Sequence, residues 1–172
     1  MSEQTASAKA YLAGGCFWCL EALYERIPGV IAVRSGFSGG TTQNPSYEQV
    51  CTGTTGHAET VEITFDPSRI SYREILEQFW KFHDPTTVNR QGADVGEQYR
   101  SAIFFTNESQ RELAQQSKSA AQPGFDSPIV TSIEPIGTFW PAETWHQGYF
   151  DHNPDAPYCR FVIAPKVAKL KS

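Results

Sequence analysis

The segment Gly56 to Asp66 constrains the fold of this chain more than any other stretch. Val61, Ile63 and Phe65 alternate with Thr60, Glu62 and Thr64. A period of two predicts a strand with one face turned into a core. The same parity carries Glu59 onto the apolar face. A strand that starts later would leave that carboxylate exposed, and Gly56-His57 upstream keeps this alternative open.

The rest of the chain supplies partners for that strand. Ala8 to Leu12 reads as a short strand, and Gly14-Gly15 permits a tight turn into a helix. That helix is predicted from Cys16 to Ile27, with Phe17, Leu20, Tyr24 and Ile27 at helical spacing and Pro28-Gly29 as its stop. Val30 to Phe37 reads as a second strand, and Asn44-Pro45-Ser46 starts a helical turn through Cys51. Ser71 and Glu74 form a capping box for a helix that buries Ile75, Leu76 and Phe79. Asp84 to Arg100 is a long polar loop, a feature more often functional than idle. A strand follows over Ser101 to Thr106, then a helix capped by Asn107 and ending at Gln122. Ile129 to Glu134 reads as a strand, Pro141 to Tyr149 as a helix, and Phe161 to Ala164 as a short strand. Interleaved strands and helices, with some strands adjacent, predict an α+β fold: a two-layer α/β sandwich with a mixed sheet and an irregular C-terminal tail. Residues 1–172 are expected to form one catalytic domain, with 1–7 flexible and 150–172 as the tail that carries Cys159.

Composition narrows the function classes. A net charge of −5 gives no basic surface for nucleic acid. No apolar run is long enough for a membrane helix, and Met1 to Lys9 lacks an apolar signal core, so a cytoplasmic setting is expected. Four cysteines are too few for a disulfide framework in a chain of 172 residues. A Cys-x-x-Cys pair in such a setting points to redox or metal chemistry.

That pair lies in Gly15-Cys16-Phe17-Trp18-Cys19. A helix start carries unpaired N–H groups that favour a thiolate, so Cys16 is the candidate nucleophile. Cys19, one turn on, is the local candidate to resolve its oxidised form. Zinc is the competing reading, with Cys51, His57 or Cys159 completing the set, but a second paired motif is missing. A buried Glu59 would lose solvation, stay protonated and serve as a general acid. Tyr47, Asp94 and Tyr99 fall in loop-like segments, Cys51 reads as structural, and the four histidines show no metal spacing.

Together, Gly-Cys-Phe-Trp at 15–18, Gly-His-Ala-Glu at 56–59, Asp-x-Gly-x-Gln-Tyr-Arg-Ser-Ala-Ile at 94–103 and Trp-His-Gln at 145–147 resemble the peptide methionine sulfoxide reductase A family, in order along nearly the whole chain. The resemblance implies a ferredoxin-like fold, a monomer, and reduction of the S epimer of methionine sulfoxide, free or in proteins. It implies Cys16 as nucleophile, Phe17 and Trp18 as walls for the substrate methyl group, and Glu59 as the acid. Tyr47 and Tyr99 would donate hydrogen bonds to the sulfoxide oxygen, and Asp94 would orient the substrate backbone. A disulfide would be reset by thioredoxin, with no metal, flavin or nucleotide. The chain departs from the family pattern in having Cys19 where glycine is common and Trp145 where tyrosine is common, and in the proline-rich surroundings of Cys159. Local geometry favours Cys19 as resolving thiol, the resemblance favours Cys159, and a relay through both is the third route; the balance falls on Cys159. Two other functions compete: a general thiol–disulfide oxidoreductase built on Cys16 and Cys19, and a zinc-stabilised binding module without catalysis.

Overall fold

Alternation makes residues 58–65 a strand, and the sheet forms around it. The computed structural model describes residues 7–171, so the segment 1–6 of the expected flexible N-terminus lies outside the described residues. The elements in chain order are β1 (Ala8–Gly14), α1 (Phe17–Tyr24), β2 (Val30–Ser38), α2 (Tyr47–Cys51), β3 (Ala58–Phe65), α3 (Tyr72–Phe82) and the two-residue strands β4 (Arg90–Gln91) and β5 (Asp94–Val95). They continue with β6 (Ser101–Phe105), α4 (Glu108–Ala121), β7 (Ser132–Pro135), β8 (Trp140–Pro141), α5 (Tyr149–His152) and α6 (Ala164–Lys171). Among the described residues, no helix is long and apolar enough to cross a membrane.

The main sheet has six strands in the order β7-β6-β1-β3-β2-β8. β3 runs antiparallel to both β1 and β2, β1 is antiparallel to β6, and β7 joins parallel to β6. The mixed sheet expected from the element order is therefore present. Leu12 lies opposite Val61 on one side and Ile103 on the other, and Ala10 lies opposite Ile63. These residues are fully buried with Leu20, Leu23 and Tyr24 of α1 and Ile75, Leu76 and Phe79 of α3. Each such large side chain contributes about 1.5–3 kcal/mol on burial. α2 and α3 start with the capping boxes Ser46–Gln49 and Ser71–Glu74, and Asn107 caps α4. Each cap pairs orphan N–H groups at its helix start.

The face of β3 that carries Thr60 and Glu62 is not open to solvent, as simple alternation suggests. Both residues are buried, Glu62 with Tyr11 and Arg34 as hydrogen-bond partners and Lys9 3.4 Å away. Phe139, from the segment before β8, covers this side by packing on Tyr11 and under Arg34.

Three expected elements differ. The strand placed at Ile129 begins only at Ser132, because residues 129–131 are bound elsewhere: the Ile129 N–H to Gln122, the Val130 N–H to Pro85, and the Thr131 hydroxyl to Ser101. The helix expected over Pro141 to Tyr149 is divided. Pro141 pairs in β8, a 3-10 turn spans Thr144–His146, and Gly148 takes a left-handed conformation (φ 64°) before α5. The tail is helical rather than irregular, and the strand expected at Phe161 is a π-turn, Cys159–Ile163, that runs into α6. Cys159, Ile163, Val167 and Leu170 face the core with steps of four, four and three, which is helical spacing.

Candidate active site

β1 delivers the chain to the site through a turn that only glycine makes easily. Gly15 has φ +94°, and a Cβ there would lie 2.6 Å from Gln91 Cγ. The turn leaves Cys16 extended, as the residue that precedes the first turn of α1. The backbone N–H of Trp18 points at the Cys16 sulfur, as expected of a helix start, yet burial drives the thiol well above its ordinary range. A ready-made thiolate is therefore not the resting state; desolvation of a sulfur only 8% exposed outweighs the helix terminus.

Glu59 lies on the buried face, as its parity predicts, and is 1% exposed. Its Oε1 accepts the N–H of Phe17 at 3.1 Å, and its Oε2 has no hydrogen-bond partner in the protein. Burial pushes its pKa up to about 8, against the pull of the Phe17 N–H, so the carboxyl is largely protonated at neutral pH. In that form its charge no longer opposes ionisation of Cys16. Register explains its seclusion: Glu59 lies opposite Phe37 of β2, and Phe37 packs on Phe17 at 5.5 Å.

The aromatic residues close around this pair. Phe17 is fully buried, 5.3 Å from the ring of His146, and its ring is stacked with Tyr47 at 6.4 Å. Trp18 is half-buried and lies flat on Tyr149 at 3.8 Å, with Tyr158 edge-on at 6.1 Å. Its Nε1 donates to His146 Nδ1 at 3.0 Å. Tyr47 opens α2, and Tyr99 ends a 3-10 turn, Glu97–Tyr99. Burial, then the Glu59 charge, raises both phenols, so both hydroxyls remain donors. Asp94, in the short hairpin that the long polar loop contains, accepts the Tyr158 hydroxyl at 2.6 Å. The long loop is thus ordered where it meets the site.

Cys19 sits in the first turn of α1, with its N–H on the Cys16 carbonyl at 3.1 Å. Burial raises its thiol, and the Lys166 ammonium beside it from α6 acts in the opposite direction. Cys159 is fully buried in the core below the tail. All four cysteines are free. The helical turn expected through Cys51 is present, but Cys51 is not the buried structural residue expected. It is the exposed last residue of α2, and its thiol pairs with the Tyr47 hydroxyl. Among the described residues, no group of three or more His, Cys, Asp or Glu side chains could hold a metal ion, so the zinc set drawn from Cys16, Cys19, Cys51, His57 and Cys159 does not assemble.

The structure therefore gathers Cys16, Phe17, Trp18, Tyr47, Glu59, Asp94 and Tyr99 in one place. Sequence reasoning did not single out Tyr149, Tyr158 or His146 as members. The signals available are that His146 is the middle residue of the Trp-His-Gln motif, Tyr149 follows that motif and Tyr158 adjoins Cys159. A cleft of about 1110 Å³ lies between α3 and α6 beside Trp80, Phe82 and Lys166, and shares no residue with this cluster. Reactive groups, rather than volume, locate the site.

Residues 8–172 match the family model described as peptide methionine sulfoxide reductase. The chain belongs to the peptide methionine sulfoxide reductase family. It is 55% identical to the peptide methionine sulfoxide reductase MsrA of Saccharolobus solfataricus over 94% of this chain and 91% of that one. Among solved structures, methionine sulfoxide reductase A of Corynebacterium diphtheriae superposes with a TM-score of 0.85 at 35% identity, covering 91% of this chain and 80% of that chain. Mxr1 of Saccharomyces cerevisiae in its reduced form gives 0.86 at 34% identity, with 92% of each chain covered. The chain is accordingly an oxidoreductase of methionine sulfoxide.

Proposed function

We propose that this reductase acts on the S epimer of methionine sulfoxide, free or within peptides, through a sulfenic acid on Cys16. The observation that carries the reading is a protonated, buried Glu59 with one unpartnered oxygen beside a cysteine at a helix start. A sulfoxide sulfur is a poor electrophile until its oxygen is hydrogen-bonded or protonated. Glu59 gives its proton to that oxygen, and the Tyr47 and Tyr99 hydroxyls stabilise it as charge changes. Cys16 attacks the sulfur, and the proton it gives up restores Glu59. The oxygen ends on Cys16, whose sulfur is oxidised by two electrons as the substrate sulfur is reduced by two, and methionine leaves. Phe17 and Trp18 wall the methyl group, and Asp94, fixed by Tyr158, orients the substrate backbone.

A second thiol then displaces water from the sulfenic acid to form a disulfide. Cys19 reaches Cys16 within one turn of α1, whereas Cys159 needs its helical turn to leave the core. These positions support a relay in which Cys16–Cys19 forms first and Cys159 exchanges with it. Thioredoxin is the reductant in this reading. Its support is that the yeast relative Mxr1 has a crystal structure in complex with Trx2. Such a cycle suits the reducing cytoplasm, with residues 1–172 working as one catalytic domain and a monomer. The strand order β6-β1-β3-β2, with α1 and α3 as the crossing helices, supports naming the core ferredoxin-like.

A general thiol–disulfide oxidoreductase would use Cys16 and Cys19 but give no task to Glu59, Tyr47 and Tyr99. Glu59→Gln separates the two readings, since it should slow sulfoxide reduction and leave disulfide exchange unchanged, and Cys16→Ser tests the nucleophile. The serine variant should lose all reduction of the S epimer while keeping its fold; retained turnover would end the proposal.

A further inference from the structure

Glu21 is a buried acidic residue that the mechanism above does not use, and burial pushes its pKa up to about 7. It lies one turn after Trp18 on α1 and is 2% exposed. A carboxylate is retained in such a place only when donors compensate its lost hydration. Two consecutive backbone N–H groups face it here. The Gly148 N–H donates to Oε1 at 2.9 Å, and the Tyr149 N–H faces the carboxylate and favours its charged form. Both donors belong to the turn into α5, where Gly148 is left-handed and the chain cannot pair them itself.

The same segment is bound to α1 and the turn just after it at three further points. His146 accepts from Trp18 Nε1, the Tyr149 ring lies on Trp18 at 3.8 Å, and Arg26 pairs with Asp151 at 2.8 Å while covering the Phe150 ring. Of these anchors, only Glu21 holds the backbone of the turn, at the residue before Tyr149. We infer that Glu21 is a positioning residue that holds residues 148–149 against α1 and so keeps the Tyr149 ring seated on Trp18 in the substrate pocket. It touches neither substrate nor Cys16 and acts through the backbone of its neighbour. The inference rests on the proposed role of Trp18 as a pocket wall.

The experiment compares wild type, Glu21→Ala and Glu21→Gln in steady-state reduction of a methionine sulfoxide peptide, with amide hydrogen exchange at Gly148 and Tyr149 measured in parallel. Removing the carboxylate leaves the part-buried Gly148 N–H unpaired. Glu21→Ala should raise KM about tenfold, equivalent to about 1.4 kcal/mol, and leave kcat within about twofold. Protection of the two amides should be lost. Glu21→Gln keeps one acceptor oxygen and the side-chain volume, so it should restore most of the protection and bring KM back to within about threefold of wild type. Because it is isosteric, it also carries the test if the alanine variant does not fold. Unchanged protection in Glu21→Ala, protection in Glu21→Gln no better than in Glu21→Ala, or a fall in kcat with KM unchanged, would overturn the inference; if the alanine variant does not fold, full loss of protection with a raised KM in Glu21→Gln would do so. Failure of the wild type to reduce sulfoxide would instead count against the proposed function, since the exchange measurement reports the anchor without any substrate.

Discussion

At the scale of single residues the account turns on Glu59. Its carboxyl holds a proton up to about pH 8 in the folded protein, against an ordinary value of 4.5. The single-turnover rate of sulfoxide reduction should therefore fall as pH rises through about 8. Glu59→Gln cannot transfer a proton but still donates a hydrogen bond. It should slow that step about 100-fold and remove the pH dependence assigned to this group. Stability follows the same proton. The folded protein binds it more tightly than the unfolded chain, so this group makes stability decline from about pH 4.5 to about pH 8. The glutamine variant should lose this group's share of the decline, which urea unfolding of both proteins at pH 6 and pH 9 will measure, while the share from Glu21, pushed up to about 7, remains. Glu59 is legible in the sequence because one more step of two from Val61 reaches it. The acidity of Cys16 is not. The helix start is visible in the motif, but the desolvation that overrides it comes from distant segments. Tyr158 is illegible for the same reason, since its partner Asp94 is 64 residues away.

At the scale of elements the tight joint between β1 and α1 carries the site. Gly15 has a left-handed backbone, and its missing Cβ leaves room for Gln91, which is itself tied to both backbone groups of Asp84. Gly15→Ala should cost about 1–3 kcal/mol in urea unfolding and lower activity by shifting Cys16 relative to Glu59. The elements that are legible from sequence are those with a complete local signal. α2, α3 and α4 announce themselves by caps, and β3 by alternation. Elements whose ends depend on partners are misread. The segment 129–131 looks like strand but donates its hydrogen bonds to a loop and a helix end. Residues 161–164 look like a short strand only in a window too narrow to include Cys159, Val167 and Leu170, which complete the helical stripe.

At the scale of the whole molecule, the sheet order brings together motifs that are far apart in the chain. β3 lies between β1 and β2, so Glu59 arrives beside the head of α1, while the 94–99 segment reaches it from the loop before β6. The 146–149 segment then folds back onto Trp18 and Glu21. A mixed α+β sheet is legible from the order of elements, but the meeting of these four segments is a property of strand order, which the sequence pattern does not state. Their meeting makes a definite claim about stoichiometry: one chain, without any added reductant, carries the electrons for one substrate. The direct measurement mixes fully reduced enzyme with one equivalent of S-epimer sulfoxide in the absence of thioredoxin or other thiol, and quantifies methionine, free thiols and the disulfide map. The account predicts about one methionine per chain, the loss of two thiols, and a disulfide containing Cys16 or its exchange product Cys19–Cys159. Methionine formed without loss of thiols, or no methionine at all, would contradict it.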